Sequence, residues 1–457
     1  LERRFETWSR IATLKKIDMR TMTRMSIVLV VAIAAVATGV AAYAQSDSAP
    51  ATAPSAIPSA AHDAGATASS VSAPGTVITS DNASAYAKNL PAAAALAVQH
   101  GFKIKVVPTD TLQWSAGFQS ATEKYSPQVA LDKDDYIINY VAGMPFPLID
   151  ANDPKAAVKI AYNWHMGPVL PDDFSLSPWS SNGYLADPHD PTRLQQSDKF
   201  DSVCDKFDFL RYAHRTEVDP RPTLGSNSSG VEWKAKCNQW STISVGGSSG
   251  EGAGIWIRYL DPRAHDEFYN FSEESRRVRR TEIALEYSDN ACHQCHQPYW
   301  AYALPKTEIY TYRLLSTAPI LACMNADDEP AGITPSESWF RLTQEPFQMR
   351  RAYILEMTPT QNNLSERTLI FIDSEIYVWL AAEFYEGGER VATAIPLWRQ
   401  HPSPEGGNRF NLAGSFYFSS THPDFVRSVV PPNTSFTQKI NAGEASEHDF
   451  LPQMMIR

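Results

Sequence analysis

The spacing of apolar and polar residues changes several times along this chain, and each change marks an element. Residues 26–42 are almost wholly apolar or small, with Arg20 and Arg24 ahead of them and Ala42-Tyr43-Ala44 behind. That order of basic, apolar and small-residue segments is a secretory signal peptide over residues 19–44. About 17 apolar residues interrupted by Thr38 and Gly39 sit at the short end of a bilayer span, which favours cleavage over anchoring. Met19, Met22 and Met25 make residues 1–18 read as upstream translation. Residues 45–76 are Ala, Ser, Thr and Pro with hardly a large apolar side chain, a composition that cannot offset the entropy of ordering. They read as a flexible leader to one folded domain over 77–440, with a tail at 441–457.

The domain opens with an alanine-rich helical stretch after Asp81-Asn82, divided by Pro91 and stopped at Gly101. Strand patterns follow at 103–107 and 136–141. Asp153 caps a second helix with Pro154 at its first position. In that helix Ala157, Ile160, Ala161 and Trp164 recur at a helical period on one face, with Lys155 and Lys159 on another. Residues 166–193, rich in Pro, Asp, Ser and Asn, read as a long loop or flap. From Lys206 onward strands dominate. Residues 255–260 and 267–271 form a hairpin across Asp261-Pro262-Arg263, and 275–281 continue it. A second meander runs through 352–357, 368–372, 376–385 and 391–395, with Glu386-Gly387-Gly388-Glu389 as a tight turn. Strands this close in sequence leave no room for crossover helices, so they pair antiparallel.

Charge narrows the partners. The chain carries 40 Lys/Arg against 51 Asp/Glu, a net charge of -11, and the part beyond Ala44 is more acidic still because the leader is basic. An acidic exported protein is a poor ligand for nucleic acid. No cysteine lies near the cleavage site, so a lipid-modified N-terminus is not expected.

Ala121-Thr122-Glu123-Lys124-Tyr125, then Gly143-Met144-Pro145-Phe146-Pro147 running into Asn152-Asp153-Pro154-Lys155-Ala156, then Leu260-Asp261-Pro262 before Arg276-Arg277-Val278-Arg279-Arg280, and Ile372-Asp373 occur in one order. This ordered set resembles domain-of-unknown-function family 1329, often labelled outer membrane lipoprotein-sorting-protein-like, from about Thr76 to about Lys439. The resemblance implies a mainly antiparallel β fold with helices (α+β): an incomplete, curved β-barrel like that of periplasmic lipoprotein carriers, with helices on the open side. It also implies a periplasmic location and work beside an outer-membrane β-barrel protein and an inner-membrane transporter, with carriage of a lipid or other lipophilic small molecule. It supplies no catalytic residues.

Five cysteines are present, Cys204, Cys237, Cys292, Cys295 and Cys323. Cys204 and Cys237 flank a Gly/Ser/Asn-rich loop and are paired here as a disulfide. Cys292-His293-Gln294-Cys295-His296 has the C-x-x-C-H arrangement of covalent haem attachment. Tyr299, Trp300 and Tyr302 could pack on a porphyrin, and Met324, Met349, Met357 or His401 could supply a sixth ligand. A disulfide or free thiols, and a Cys/His metal site, stay open beside haem c; no cofactor is the leading expectation. Arg276, Arg277, Arg279 and Arg280 read as solvated strand residues paired with Glu273, Glu274 or Glu282, with a phospholipid headgroup or acidic loop as the functional alternative. His165 and His189, near Asp172, Asp173 and Asp190, fit no ligand spacing and read as surface histidines. No G-x-S-x-G, phosphate loop or H-E-x-x-H occurs, so no enzyme is read.

Three functions follow as expectations. The first is a periplasmic carrier for a lipophile. The others are a monohaem electron-transfer protein and a structural accessory factor for an outer-membrane barrel.

Overall fold

A computed structural model describes residues 73–429 and Leu451, apart from 168–172, 177–178, 187–189, 191–192, 205–206, 213–229, 244–248, 262–263, 265, 273–274, 283–309, 328–332, 337–338, 360–366, 404–405 and 420–423. The described residues lie in one compact unit, Ser70–Arg457. The signal peptide, the leader, most of the tail and the C-x-x-C-H motif fall outside the described residues.

Strands carry the fold. In chain order they are β1 (Val77–Ile78), β2 (Lys103–Val106), β3 (Ala130–Leu131), β4 (Ile137–Ile138), β5 (Asp173–Leu176), β6 (Trp179–Ala186), β7 (Arg193–Cys204) and β8 (Phe207–Arg211). Then come β9 (Val231–Ile243), β10 (Ser249–Tyr259), β11 (Glu267–Ser272), β12 (Arg277–Glu282), β13 (Tyr310–Ala322), β14 (Ile333–Ser336) and β15 (Trp339–Leu342). The last are β16 (Gln344–Pro359), β17 (Arg367–Asp373), β18 (Trp379–Glu386), β19 (Glu389–Pro402), β20 (Asn408–Ser419) and β21 (Asp424–Val429). The α-helices are α1 (Ala92–Gln99), α2 (Ala116–Tyr125) and α3 (Ala156–Met166).

One sheet has eight strands, in the order β1-β2-β16-β17-β18-β19-β20 with β13 also on β16. It is the curled, open half-barrel, and its pairings are antiparallel except β2 on β16, where Lys103 stands beside Gln344. The second sheet has eleven strands and runs β12-β11-β10-β9-β7-β15-β14, with β5, β6, β8 and β21 joined off that path.

Helices cover both faces of the eight-stranded sheet, which explains a run the period-2 rule would not give. In β19 the residues from Ala392 to Arg399 are all buried, because alternate side chains enter two different cores. Ala382, Ala394 and Trp398 join the core with Ala157, Ile160, Ala161 and Trp164 of α3. Ala381, Ile395 and Leu397 join the other, with Ala93, Ala94, Ala97 and Val98 of α1. The four residues read from the α3 periodicity are therefore core residues. Truncating a large member such as Phe384, fully buried, would cost about 3–5 kcal/mol.

Sequence signals place several boundaries well. Pro91 precedes α1, and Gly101 follows it at φ 93°. Gly387 and Gly388 have φ of 56° and 80°, the backbone that a two-residue hairpin turn demands. Others move. Helix α3 starts at Ala156, because Asp153 accepts from the backbone N–H groups of Lys155 (side chain) and Ala156 (carbonyl) and closes a turn first. The strand read over 136–141 is only β4. The loop expected over 166–193 holds β5, β6 and the start of β7 instead, since β5 pairs with β8 and β6 pairs with β7 and β21. Polar strands of this kind are specified by remote partners, which local composition does not record.

Candidate functional site

A cleft of about 260 Å³ opens between α2 and the turn joining β17 to β18. Its floor is apolar: Leu112, Trp114, Phe118, Met144 and Ile376, each no more than 6 % exposed. Gln113, Gln119, Thr122, Glu123 and Glu375 complete the lining.

Each wall is fixed locally. Ser115 begins α2, its hydroxyl accepting from the Phe118 N–H at 3.4 Å. The Trp114 indole N–H donates to the Ile376 carbonyl at 3.2 Å, tying one wall to the other. Behind the indole, the Trp114 carbonyl lies where a Cβ on Gly407 would be 2.1 Å away, and Gly407 has φ 72°, so only glycine fits there. Trp114 meets Phe118 and Phe410 edge-on at 5.7 and 5.0 Å between centroids.

The opposite wall is organised by a buried ion pair. Arg350 donates to both oxygens of Asp373, at 2.7 and 3.2 Å, and to Glu375 at 2.8 Å. Asp373 also accepts from the backbone N–H groups of Glu375 and Ile376, both at 2.9 Å, which shapes the turn. Burial opposes the Arg350 charge, but Asp373 and Glu375 outweigh it and hold the guanidinium above its ordinary range. Asp373 is fully buried, whereas the Glu375 side chain is 49 % exposed and faces the cleft.

The family-like motifs turn out to build this scaffold. A Cβ on Gly143 would lie 2.3 Å from the Thr122 nitrogen, so the 143–147 segment lies directly on α2. The Thr122 hydroxyl accepts from the Met144 N–H at 2.8 Å, placing Met144 in the floor. Asn163, fully buried on α3, grips Phe146 by accepting from its N–H at 2.9 Å and donating to its carbonyl at 2.6 Å. Lys159 pairs with Asp153 and Lys155 with Asp135, both at 2.5 Å.

A second buried cluster lies on the eleven-stranded sheet. The β9–β10 register steps from Trp233 opposite Arg258 to Val231 opposite Tyr259, leaving Glu232 as the extra residue of a bulge. Its carboxylate is 3.5 Å from Arg211, 3.6 Å from Arg258 and 3.9 Å from His165 at the end of α3. Burial lowers the His165 pKa to about 4 despite the Glu232 contact, keeping the ring neutral. Burial alone would raise the Glu232 pKa, but His165, Arg258 and Arg211 bring it to about 2. His165 is thus a buried residue and not the surface histidine expected.

The remaining predicted positions scatter. Cys292, Cys295 and His296, with Tyr299, Trp300 and Tyr302, lie outside the described residues, as do His189 and Asp172. Met324 and Met357 are buried in the core, and Met349 packs on the other core. Cys323 is free and buried, and burial pushes its thiol well up. Cys237 is buried and disulfide-bonded. The β8–β9 register sets Phe207 opposite Cys237, while Cys204 stands opposite Trp240. Arg276, Arg277, Arg279 and Arg280 are exposed. Arg280 pairs at 2.6 Å with Glu267 on the neighbouring strand. The same Glu267 accepts from Tyr259 and Tyr269 at 3.0 and 2.7 Å. Among the described residues no group of three metal-binding side chains comes together, and no helix is long and apolar enough to cross a membrane.

The segment that carries these motifs matches one family model. Residues 77–179 match the DUF1329 family model. DUF1329 is described as a protein of unknown function. The match takes in the 121–125, 143–147 and 152–156 motifs and stops well short of Lys439, the end expected from the ordered set. No curated protein matches the chain. Among solved structures, a DUF1329 family protein from Desulfovibrio piger is 11 % identical with a TM-score of 0.39, over 65 % of this chain and 96 % of that one. A putative outer membrane lipoprotein-sorting protein domain from Vibrio parahaemolyticus is 11 % identical with a TM-score of 0.36, over 62 % and 92 %. A LolA superfamily protein from Nitrosomonas europaea is 10 % identical with a TM-score of 0.34, over 65 % and 97 %.

Of the floor residues, Leu112, Trp114 and Phe118 were missed by sequence reasoning. Leu112, Trp114 and Phe118 meet Ile376 from more than 250 positions away, and no spacing rule joins them. The only local signal was the neighbouring motif at 121–125.

Proposed function

We propose that this chain is an exported binding protein or carrier for a lipophilic molecule, and that the cleft between α2 and the β17–β18 turn is where the ligand's apolar part lodges. The observation that supports it is a preformed hollow whose lining combines five apolar side chains with Gln113, Gln119, Thr122, Glu123 and Glu375, so that apolar contact and polar groups meet in one place. Its volume, about 260 Å³, is just below the roughly 300–1,000 Å³ of a drug-sized pocket, so it suits one short chain or ring and not a whole lipid. A carrier needs no more chemistry than this, since removing apolar surface from water supplies about 25 cal/mol per Å². Delivery to an outer-membrane β-barrel partner in the periplasm belongs to the same reading.

The test is saturable uptake of an uncharged fluorescent naphthylamine. Gln113 is exposed and its side chain is not needed for the fold, so Gln113→Trp should fill the cleft mouth and reduce uptake at least tenfold. Uptake unaffected by Gln113→Trp would remove the cleft from this role.

A further inference from the structure

The lining of the cleft has a marked imbalance of charge. Of its ten residues, Glu123 and Glu375 are carboxylates, Gln113, Gln119 and Thr122 are neutral, and none is Lys, Arg or His. Arg350 stands behind Glu375, but only 2 % of its side chain is exposed, and it is shared with the fully buried Asp373. One guanidinium against two carboxylates leaves that group with a net negative charge, and the exposed member is Glu375. Glu123 adds a second negative charge on an exposed turn of α2. The same lining includes the largely buried Trp114 and Phe118 rings, which supply apolar contact and no positive charge.

We infer that the cleft selects a cationic amphiphile, an alkyl or aryl amine whose ammonium sits between Glu123 and Glu375 while its apolar part occupies the floor. The inference rests on the cleft being the lipophile's seat, and it adds the head-group class. An anionic head, whether a fatty acid or a phospholipid phosphate, would meet two carboxylates with no Lys, Arg or His among the described lining residues, and like-charge contact is the stronger source of discrimination.

The experiment is displacement of the bound naphthylamine by decylamine, decanol and decanoate, each below its micellar concentration at pH 7 and low salt. Decylamine should displace at a concentration at least tenfold lower than decanoate, with decanol between them. Glu123→Gln, an exposed change that leaves the Arg350 group untouched, should shrink the amine-to-decanoate ratio about threefold without altering the position of decanol. Added salt should shrink it too. Equal potency of amine and decanoate, or a ratio unchanged in Glu123→Gln, overturns the charge inference while probe uptake keeps the lipophile reading standing. Absence of probe uptake in the wild type overturns both.

Discussion

Arg350 and Arg258 are both arginines buried against a carboxylate, yet the two sheets hold them differently. On the eight-stranded sheet Arg350 and Asp373 meet in a two-pronged contact at 2.7 and 3.2 Å, and the carboxylate also caps two backbone N–H groups. On the eleven-stranded sheet Glu232 faces Arg258, Arg211 and His165 at 3.5–3.9 Å, beyond a strong direct bond. The first cluster fixes a turn and through it one wall of the cleft. The second gathers three basic groups around a bulge, at the seam where α3 reaches the other sheet. A short, multiply bonded pair defines a geometry, whereas a looser gathering of charge offsets burial without imposing one.

The comparison breaks most readily at Arg350. Arg350→Met leaves Asp373 charged and fully buried, and urea unfolding should show a loss of about 3–5 kcal/mol. A loss under about 1 kcal/mol would mean the pair does not organise the turn.

The second cluster should appear first in the pH dependence. His165 is held at about 4 in the folded chain and returns to about 6.5 when unfolded. Between those values the unfolded state binds more protons, so stability is full above about pH 6.5 and falls as pH drops toward 4, by up to about 3 kcal/mol. His165→Gln should flatten that slope, and an unchanged slope in the variant would assign it elsewhere. Glu232, lowered from 4.5 to about 2, loses its contribution as pH falls from about 4.5 toward 2 and so overlaps only the acid end of that window.

Glu232→Gln sharpens the contrast further. With longer contacts to lose, it should cost about 1–3 kcal/mol, less than Arg350→Met in the same urea series. A larger cost would reverse the ranking of the two clusters. The smallest effect is expected at Lys159, whose ion pair with Asp153 is partly solvated; Lys159→Gln, which leaves the Asp153 turn in place, should shift stability by about 0.2–1 kcal/mol.

What the sequence revealed follows the same division. The apolar face of α3 was legible because Ala157, Ile160, Ala161 and Trp164 recur at a helical period, and the β18–β19 turn because Gly387-Gly388 is a strong local signal. The bulge at Glu232 was not legible, since it is defined by the register with β10 and not by residue type. Strands β5 and β6 were hidden for a related reason: their polar residues pair with β8 and β21, far along the chain. The cleft was half legible. The motifs at 121–125 and 143–147 pointed to its walls, but Glu375 and Ile376 enter through the Arg350–Asp373 contact, which no local pattern announces.

The claim at the centre of this account is that a lipophile sits on the floor made by Leu112, Trp114, Phe118, Met144 and Ile376. Photolabelling with a decylamine carrying a terminal diazirine, followed by peptide mapping, addresses it directly. The account predicts adducts on peptides containing residues 112–118, 144 and 376, suppressed by Gln113→Trp. Adducts spread over other surfaces, or left unchanged by that substitution, would contradict it.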